Sequence, residues 1–187
     1  MHLKAIIMDG EAINRAVARL AHEIIEKNAD LSSLALVGVR TRGVPLTKRI
    51  AESIKKVTGG SVDTGTLDIT LYRDDLGIIN EHPVINSTEI PFGVINKTVI
   101  IVDDVLFTGR TARAAIDAVM EYGRPKKIRL AVLIDRGHRE LPIRADYCGK
   151  NVPTACSEKV IVNLNEIDGD DSVELYDIDN RVDLELQ

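Results

Sequence analysis

Two aspartates stand side by side at the end of an apolar segment, in the sequence VIIVDDVLFTGRT over residues 99–111. Residues 98–103 have the continuous apolar pattern of a buried strand, so Asp103 and Asp104 are predicted to lie at its carboxyl end. At that position a carboxylate can face water and does not have to be buried as a charge. The pair is therefore suited to contact a ligand, although two such residues could also serve only to cap the strand and the following helix.

The loop after the aspartates has the residue types of an anion-binding site. Thr108 and Thr111 offer hydroxyl groups, and Gly109 allows close approach to the backbone. The start of the next helix adds unpaired amide groups that favour a phosphate. Acids and an anion-binding loop a few residues apart predict a sugar phosphate, which offers hydroxyls to the acids and phosphate to the loop. A nucleoside triphosphate fits less well, because neither GxxxxGK[ST] nor GxGxxG occurs in the chain.

Alternating strand and helix patterns surround this loop and predict an α/β fold. Strand-type segments are predicted at 4–8, 34–39, 66–72, 98–103, 127–135, 159–164 and 172–178, and helices at 11–27, from about 45 to 57 and at 111–122. We expect a mainly parallel central sheet flanked by helices, completed by the last two strands. Ligands of such sheets bind beyond the carboxyl ends of the strands. The sequences TRG (41–43), YRDD (72–75) and DDVLFTGRT (103–111) each follow a strand, so we expect them to converge at one edge.

The 187 residues suit a single domain. Residues 73–97 are long and polar, which predicts a mobile flap. An acidic C-terminal segment, residues 166–187, carries a net charge of −8 and leaves the rest of the chain at +3, so a basic patch is permitted. We find no secretory signal and no apolar run of membrane-spanning length. Cys148 and Cys156 are too few for a disulfide framework. These features predict a cytoplasmic protein that does not enter membranes.

The sequence VIIVDDVLFTGRT closely resembles the phosphoribosyl diphosphate (PRPP) motif of type I phosphoribosyltransferases. The sequences TRG, DITLYRDD and DRGHRELPIRADYCGKN are similar to those of pyrimidine-operon attenuation proteins that are also uracil phosphoribosyltransferases, and the resemblance covers nearly the whole chain. It implies a type I phosphoribosyltransferase-like fold and the Mg²⁺-dependent conversion of uracil and PRPP to UMP and pyrophosphate. It also implies binding of a hairpin in pyrimidine leader mRNA, a response to UMP or UTP, and assembly into a homodimer or a higher homo-oligomer.

The resemblance assigns roles to the residues of the motifs. Asp103 and Asp104 would hold the ribose hydroxyls, directly or through Mg²⁺, and Asp104 would assist deprotonation of the base. Arg73, on the flap, would neutralise charge on the diphosphate. A pyrophosphate loop, in which this superfamily often has a cis non-proline peptide bond, would consist of Thr41, Arg42 and Gly43.

The same resemblance places the remaining parts of the nucleotide. The 5-phosphate would lie in a phosphate loop, residues 106–111. With the preceding valine, the residues concerned are Val105, Leu106, Phe107, Thr108, Gly109, Arg110 and Thr111. Arg136 and Val160 would border the uracil.

Basic residues in two parts of the chain would form the RNA-binding surface of the resembled family. They are Arg19, His22, Lys27, His138, Arg139, Arg144 and Lys150. Taken without the resemblance, scattered basic residues are most often solvated surface. Three positions depart from the family pattern. Ala18 stands where RNA-binding members typically carry Thr, Lys27 where Arg is common, and Cys156 where a basic residue is usual.

The motifs and the resemblance leave three functions open. The leading hypothesis is an RNA-binding attenuator that is also a uracil phosphoribosyltransferase. The second is an enzyme with only a residual RNA surface, which Ala18 and Cys156 favour. The third is an RNA-binding regulator that senses UMP or UTP without turnover, and the complete set of acids, TRG and YRDD counts against it.

Overall fold

The computed structural model of the protein describes residues 1–72 and 88–178. Arg73, Asp74, Asp75 and the larger part of the predicted flap lie outside the described residues. None of the described helices is long and apolar enough to cross a membrane.

Five parallel strands form the central sheet, in the order β3-β2-β4-β5-β6. They are β2 (Leu34–Val39), β3 (Asp63–Leu67), β4 (Thr98–Leu106), β5 (Lys127–Asp135) and β6 (Tyr147–Asn151). All six residues of β2 are buried, because helices cover both faces of the sheet at its centre. Burial on both faces explains why the three inner strands, β2, β4 and β5, contain continuous apolar runs and not alternating patterns.

The helices α1 (Gly10–Lys27) and α2 (Gly43–Thr58) pack on one face of this sheet, and α3 (Arg110–Glu121) packs on the other. The carboxylate of Asp9 caps α1 by accepting a hydrogen bond of 2.8 Å from the amide of Ala12. At the end of α2 the chain turns through Gly59, whose φ of 74° suits glycine. Both helices bury one apolar face, which the periodicity of residues 11–27 predicted for α1.

The last two predicted strands do not complete the central sheet, so that prediction was wrong. Strands β7 (Glu158–Asn163) and β8 (Ser172–Asp177) pair with β1 (His2–Asp9) in a separate antiparallel sheet of order β1-β8-β7. Only residues 164–171 connect β7 to β8, including the short helix α4 (Asn165–Asp168). A parallel neighbour requires a crossover of about a dozen residues or more, so this short connection favours antiparallel pairing.

Two further predictions are corrected at the edges of the central sheet. Strand β6 lies between the predicted strands at 127–135 and 159–164, where no strand was predicted. Its Gly149 packs so closely on β5 that a Cβ there would lie 2.4 Å from the Leu133 carbonyl oxygen. Strand β3 ends at Leu67, five residues before the predicted end, and a 3-10 turn follows at Thr70–Tyr72. From the predicted flap, Glu89 pairs with Thr66 of β3.

Candidate active site

The two aspartates occupy the last part of β4, where the strand leaves the core. Both are partly exposed. Each carboxylate accepts a hydrogen bond of 2.9 Å from the next backbone amide, Asp103 from the amide of Asp104 and Asp104 from the amide of Val105. Burial raises the pKa of the Asp103 carboxyl well above its ordinary value, and the neighbouring Asp104 carboxylate raises it further. The pair therefore concentrates acceptor oxygens at the mouth of the core, and the raised pKa of Asp103 shows that two negative charges there are unfavourable without a cation.

The phosphate loop turns the chain from β4 into α3. Gly109 has a φ of 94°, a conformation that favours glycine, and it directly precedes the first residue of α3. The amide of Arg110 donates a hydrogen bond of 3.3 Å to the Thr108 hydroxyl oxygen. Residues of the loop line a cavity of about 220 Å³ that also reaches Asp103. The loop thus has the hydroxyls and the helix N-terminus that the sequence predicted, and the structure adds a left-handed turn at Gly109.

The pyrophosphate loop lies directly against the aspartates. A Cβ on Gly43 would lie 2.3 Å from the carbonyl oxygen of Val102 and 3.4 Å from the Cα of Asp103, so only glycine allows this approach. The Arg40–Thr41 peptide bond is cis, as the resemblance implied. Strand β2 also packs closely against this loop, because a Cβ on Gly38 would lie 2.5 Å from the Gly43 carbonyl oxygen. The expected convergence of TRG with the aspartates is confirmed by this contact.

A backing segment, residues 136–143, supports the phosphate loop from the other side. Arg139 donates hydrogen bonds to the carbonyl oxygens of Leu106, at 3.4 Å, and Phe107, at 2.5 Å, and it forms an ion pair with Asp135. The amides of Glu140 and Leu141 both donate to the Thr108 carbonyl, at 2.9 and 3.1 Å. Arg110 and Glu140 add an ion pair of 2.6 Å. The position of the loop is therefore tied to the position of this segment.

The two residues predicted to border uracil lie close to the phosphate loop and β4. The Arg136 guanidinium is 6% exposed and lies 4.1 Å from the centre of the Phe107 ring. Its Nη2 donates to the Glu158 carbonyl at 2.5 Å and its Nε to the Thr154 hydroxyl at 3.2 Å, so neighbouring protein groups hold the guanidinium in place. Val160 is buried in β7, which approaches β4. Both residues therefore lie where the antiparallel sheet approaches β4 and the phosphate loop.

Comparison with known proteins adds an independent observation to this geometry. The phosphoribosyl transferase domain family matches residues 5–163. The chain is 63% identical over 179 residues to the bifunctional protein PyrR of Acetivibrio thermocellus, covering 96% of this chain and 97% of that protein. It is 59% identical over 170 residues to the bifunctional protein PyrR of Clostridioides difficile, covering 91% and 96%. The chain belongs to the PyrR family of phosphoribosyltransferases.

Solved structures of other phosphoribosyltransferases share the fold of this PyrR-family chain. The hypoxanthine phosphoribosyltransferase of Trypanosoma cruzi has a TM-score of 0.71 at 18% identity, with 94% of this chain and 97% of that chain covered. A hypoxanthine-guanine phosphoribosyltransferase of Bacillus anthracis has a TM-score of 0.70 at 17% identity, with 93% and 98% covered. The predicted type I phosphoribosyltransferase-like α/β fold is confirmed.

The acidic residues of this PyrR-family site fit a magnesium ion that is bound mainly by the substrate. Within residues 1–72 and 88–178, no group of three or more His, Cys, Asp or Glu side chains could hold a metal ion alone. Asp103 and Asp104 offer the hard oxygen ligands that Mg²⁺ prefers, and Mg²⁺ in such sites is usually completed by phosphate oxygens and water. The two carboxylates therefore fit a Mg²⁺ ion only where a bound phosphate compound and water supply its other ligands.

Four of the basic residues predicted to bind RNA gather where α1 meets β6. Arg19 donates to the carbonyls of Cys148 and Gly149, and Lys27 donates to the Asp146 carbonyl at 3.3 Å. Lys150 lies in β6 itself, and His22 is exposed on α1. We call these four residues the α1–β6 surface. Ala18 is exposed on the same helix, as the periodicity predicted.

The other predicted RNA-binding residues are placed differently. Exposed Arg144 lies between the backing segment and β6. His138 contacts the Thr154 carbonyl at 2.6 Å and the Phe107 ring edge-on. Arg139 directs its guanidinium at backbone carbonyls of the phosphate loop, a role that the sequence did not predict. No local signal marks these two contacts, because the Phe107 and Leu106 carbonyls lie 32 and 33 residues earlier in the chain.

Proposed function

We propose that the protein transfers the phosphoribosyl group of PRPP to uracil, forming UMP and pyrophosphate, and that it binds pyrimidine leader mRNA in response to uridine nucleotides. One observation carries the enzymatic part of this proposal. The pyrophosphate loop contacts β4 at Val102 and Asp103, so a diphosphate loop, ribose-binding acids and a phosphate loop meet at one edge of the sheet. This order matches the order of groups along PRPP.

Different residues bind the 5-phosphate, the ribose and the diphosphate of PRPP. The phosphate loop receives the 5-phosphate with the amides at the start of α3 and the hydroxyls of Thr108 and Thr111. Asp103 and Asp104 accept hydrogen bonds from the ribose hydroxyls. Arg42 and the amides of the pyrophosphate loop hold the diphosphate. Asp103 and Asp104 would contact a Mg²⁺ ion brought by the diphosphate, and that ion would neutralise part of the leaving-group charge.

The aspartates then stabilise the transfer step. As the bond between C1 of the ribose and the diphosphate breaks, positive charge develops on the ribose ring. Fixed carboxylates beside the ring stabilise this charge without having to reorient. Asp104 assists removal of the proton from the attacking uracil nitrogen, and backbone groups near Arg136 and Val160 read the uracil carbonyls and N–H groups. Arg73, which lies outside the described residues, is proposed to meet the diphosphate from the flap.

The α1–β6 surface supports the RNA-binding part of the proposal. It presents three cations and His22 along a helix and an adjacent edge strand, where Arg and Lys can contact phosphates and His can contact unpaired bases. Arg144 extends the basic surface toward the backing segment. The proposed partners are a leader hairpin, uracil, PRPP and UMP or UTP, and assembly into a homodimer or higher homo-oligomer stays a prediction.

The backing segment gives a physical route between the two functions. A bound 5-phosphate fixes the phosphate loop, and the loop is joined to the backing segment by Arg139 and by the amides of Glu140 and Leu141. That segment leads directly into Arg144 and β6. A nucleotide can change RNA affinity only if it favours one arrangement of these elements, and the effect must then be reciprocal.

Two measurements test the proposal. Purified protein with Mg²⁺, PRPP and uracil is expected to form UMP, whereas hypoxanthine and guanine are expected to be poor substrates. Good activity toward a purine base together with inactivity toward uracil would reject the assignment. A leader hairpin is expected to bind more tightly with UMP, and UMP more tightly with the hairpin, by the same factor. Binding no better than that of a scrambled RNA would leave the enzyme without a regulatory role.

A further inference from the structure

The acidic residues that follow β7 are not a free acidic tail where the structure describes them. An acidic turn, residues 164–171, lies against α2 and forms ion pairs with two arginines of the 42–49 region. One of these arginines is Arg42 of the pyrophosphate loop. Its Nε and Nη2 donate to the two carboxylate oxygens of Asp168, at 3.0 and 2.7 Å. The proposed function uses Arg42 but gives no role to its partner.

The Arg42 guanidinium is paired with Asp168 and is close enough to Asp104 for that charge to act on it. Its hydrogen bond to Asp168 raises the pKa of Arg42 most strongly, and the charge of Asp104, across the site, also raises it. A guanidinium has five N–H donors in a fixed plane. The bidentate pair with Asp168 takes two of them at one edge, so the remaining donors stay available for a diphosphate beside Asp104.

Asp168 is itself held in place. Its Oδ2 accepts a second hydrogen bond of 2.9 Å from the Leu164 amide, and its own amide donates to the Leu164 carbonyl at 2.7 Å. Only 19% of its side chain is exposed. A carboxylate fixed in this way fixes the plane of the guanidinium that it pairs with, because both bonds of a fork must stay aligned.

We propose that Asp168 is a positioning residue for pyrophosphate binding, holding the Arg42 guanidinium in the orientation that meets the diphosphate of PRPP. The proposal rests on the proposed function, since it assigns the diphosphate to the loop of residues 41–43. A free arginine side chain must be ordered when the diphosphate binds, and this ordering weakens binding. With Asp168 present, the ordering has already occurred in the ligand-free protein.

The acidic turn also provides a matched control. Arg49 lies about two helical turns further along α2 and pairs with Glu166, through bonds of 2.8 and 2.5 Å, and with Asp171. The pair of Arg49 and Glu166 joins the same turn to the same helix and does not involve the pyrophosphate loop. Glu166→Gln therefore weakens docking of the turn while leaving the Arg42 pair intact.

The experiment compares wild type, Asp168→Asn, Asp168→Glu and Glu166→Gln. Asn keeps an acceptor oxygen for the Leu164 amide but removes the charge and presents an N–H group to Arg42. We expect Asp168→Asn to weaken magnesium pyrophosphate binding, measured by calorimetry, and to raise KM for PRPP, each by about 2- to 12-fold. The affinity for UMP, which has no pyrophosphate, and kcat should change less than twofold. Asp168→Glu should recover part of the loss, and Glu166→Gln should bind pyrophosphate as wild type does.

Each alternative outcome decides against the proposal in a different way. Tighter pyrophosphate binding by Asp168→Asn would make Asp168 a competitor of the ligand. An equal loss in Glu166→Gln would assign the effect to docking of the acidic turn, and unchanged binding in Asp168→Asn would leave the pair without a role in the site. If wild type bound PRPP but the variants did not differ, the enzymatic assignment would stand. If wild type bound neither PRPP nor pyrophosphate, the enzymatic assignment and the positioning role of Asp168 would both be rejected.

Discussion

The close contact between Gly43 and β4 makes a strong test of the site, because a single methyl group would disturb it. In Gly43→Ala, the new Cβ would lie 2.3 Å from the Val102 carbonyl oxygen and 3.2 Å from the carbonyl carbon. Ordinary contacts of this kind begin near 3.4 Å. Both partners are backbone, so no side chain can move aside. The pyrophosphate loop must therefore shift by about 1 Å relative to the aspartates.

A shift of this size is large for a catalytic site. Misplacing a bound group by about 1 Å can cost about 100-fold in rate, or about 2.7 kcal/mol of transition-state stabilisation. We therefore expect Gly43→Ala to lower kcat/KM for PRPP by about 100-fold in a uracil-dependent assay. Overpacking also costs about 1–3 kcal/mol of folding stability, so thermal unfolding should be measured in parallel. UMP affinity should fall much less, because UMP does not occupy the pyrophosphate loop.

Gly60→Ala is the matched control at the other end of α2. Its Cβ would meet nothing closer than the Thr58 hydroxyl at 3.7 Å, and Gly60 does not have a positive φ. We expect wild-type kinetics, with stability unchanged or raised by about 0.4–1 kcal/mol. If folded Gly43→Ala showed wild-type kcat/KM for PRPP, the loop of residues 41–43 would not hold a reacting group. An equal loss of UMP binding and of thermal stability would instead assign Gly43 to folding.

Three other changes test separate parts of the structure. Asp104→Asn should lower turnover by about 100-fold or more while the unfolding temperature changes little, because this partly exposed carboxylate faces the ligand; wild-type turnover would remove Asp104 from the mechanism. Ala18→Thr adds a hydroxyl to an exposed position on α1 and should tighten hairpin binding by about 2- to 12-fold, the value of one hydrogen bond of about 0.5–1.5 kcal/mol; the salt dependence and UMP synthesis should not change, and an altered salt slope would contradict a neutral contact. Hydrogen bonds from Arg49 lower the pKa of Glu166 and of Asp171 below their ordinary values of 4.5 and 3.8. Their stabilisation is therefore complete above about pH 4.5 and is lost as the pH falls through the lowered pKa values. The stability difference between wild type and Glu166→Gln, measured by denaturant unfolding, should shrink on acidification, and a constant difference would show that the pair contributes nothing.

The backing segment connects the phosphate loop to residues that are proposed to bind RNA. Arg139 was predicted to bind RNA, but its guanidinium lies against the phosphate loop, where it supports the carbonyls of Leu106 and Phe107. Its neighbour His138 contacts the ring of Phe107. Residues that hold the loop in place therefore lie next to residues proposed to contact RNA. A regulator that responds to nucleotides needs such a connection.

The sequence alone determined the elements whose signals are local. Continuous apolar runs marked the buried strands β2, β4 and β5, because helices on both faces leave no polar side. A 3.6-residue periodicity marked α1 and its exposed face around Ala18. The adjacent acids, hydroxyls and Gly109 marked the anion-binding loop, because their chemistry depends on neighbours within ten residues. The PRPP motif and its resemblance then indicated the family.

Only the tertiary structure decided which distant groups meet. The sequence showed that β7 and β8 are strands but not that they pair with β1, because strand propensity does not specify a partner. The pairing of Arg42 with Asp168 spans 126 residues, and the contact of Gly43 with Val102 depends on the register between β2 and β4. In the sequence, Arg139 cannot be distinguished from a solvated basic residue. Only the structure shows that the phosphate loop lies beside it. Such contacts are set by the packing of whole elements, and no local pattern records them.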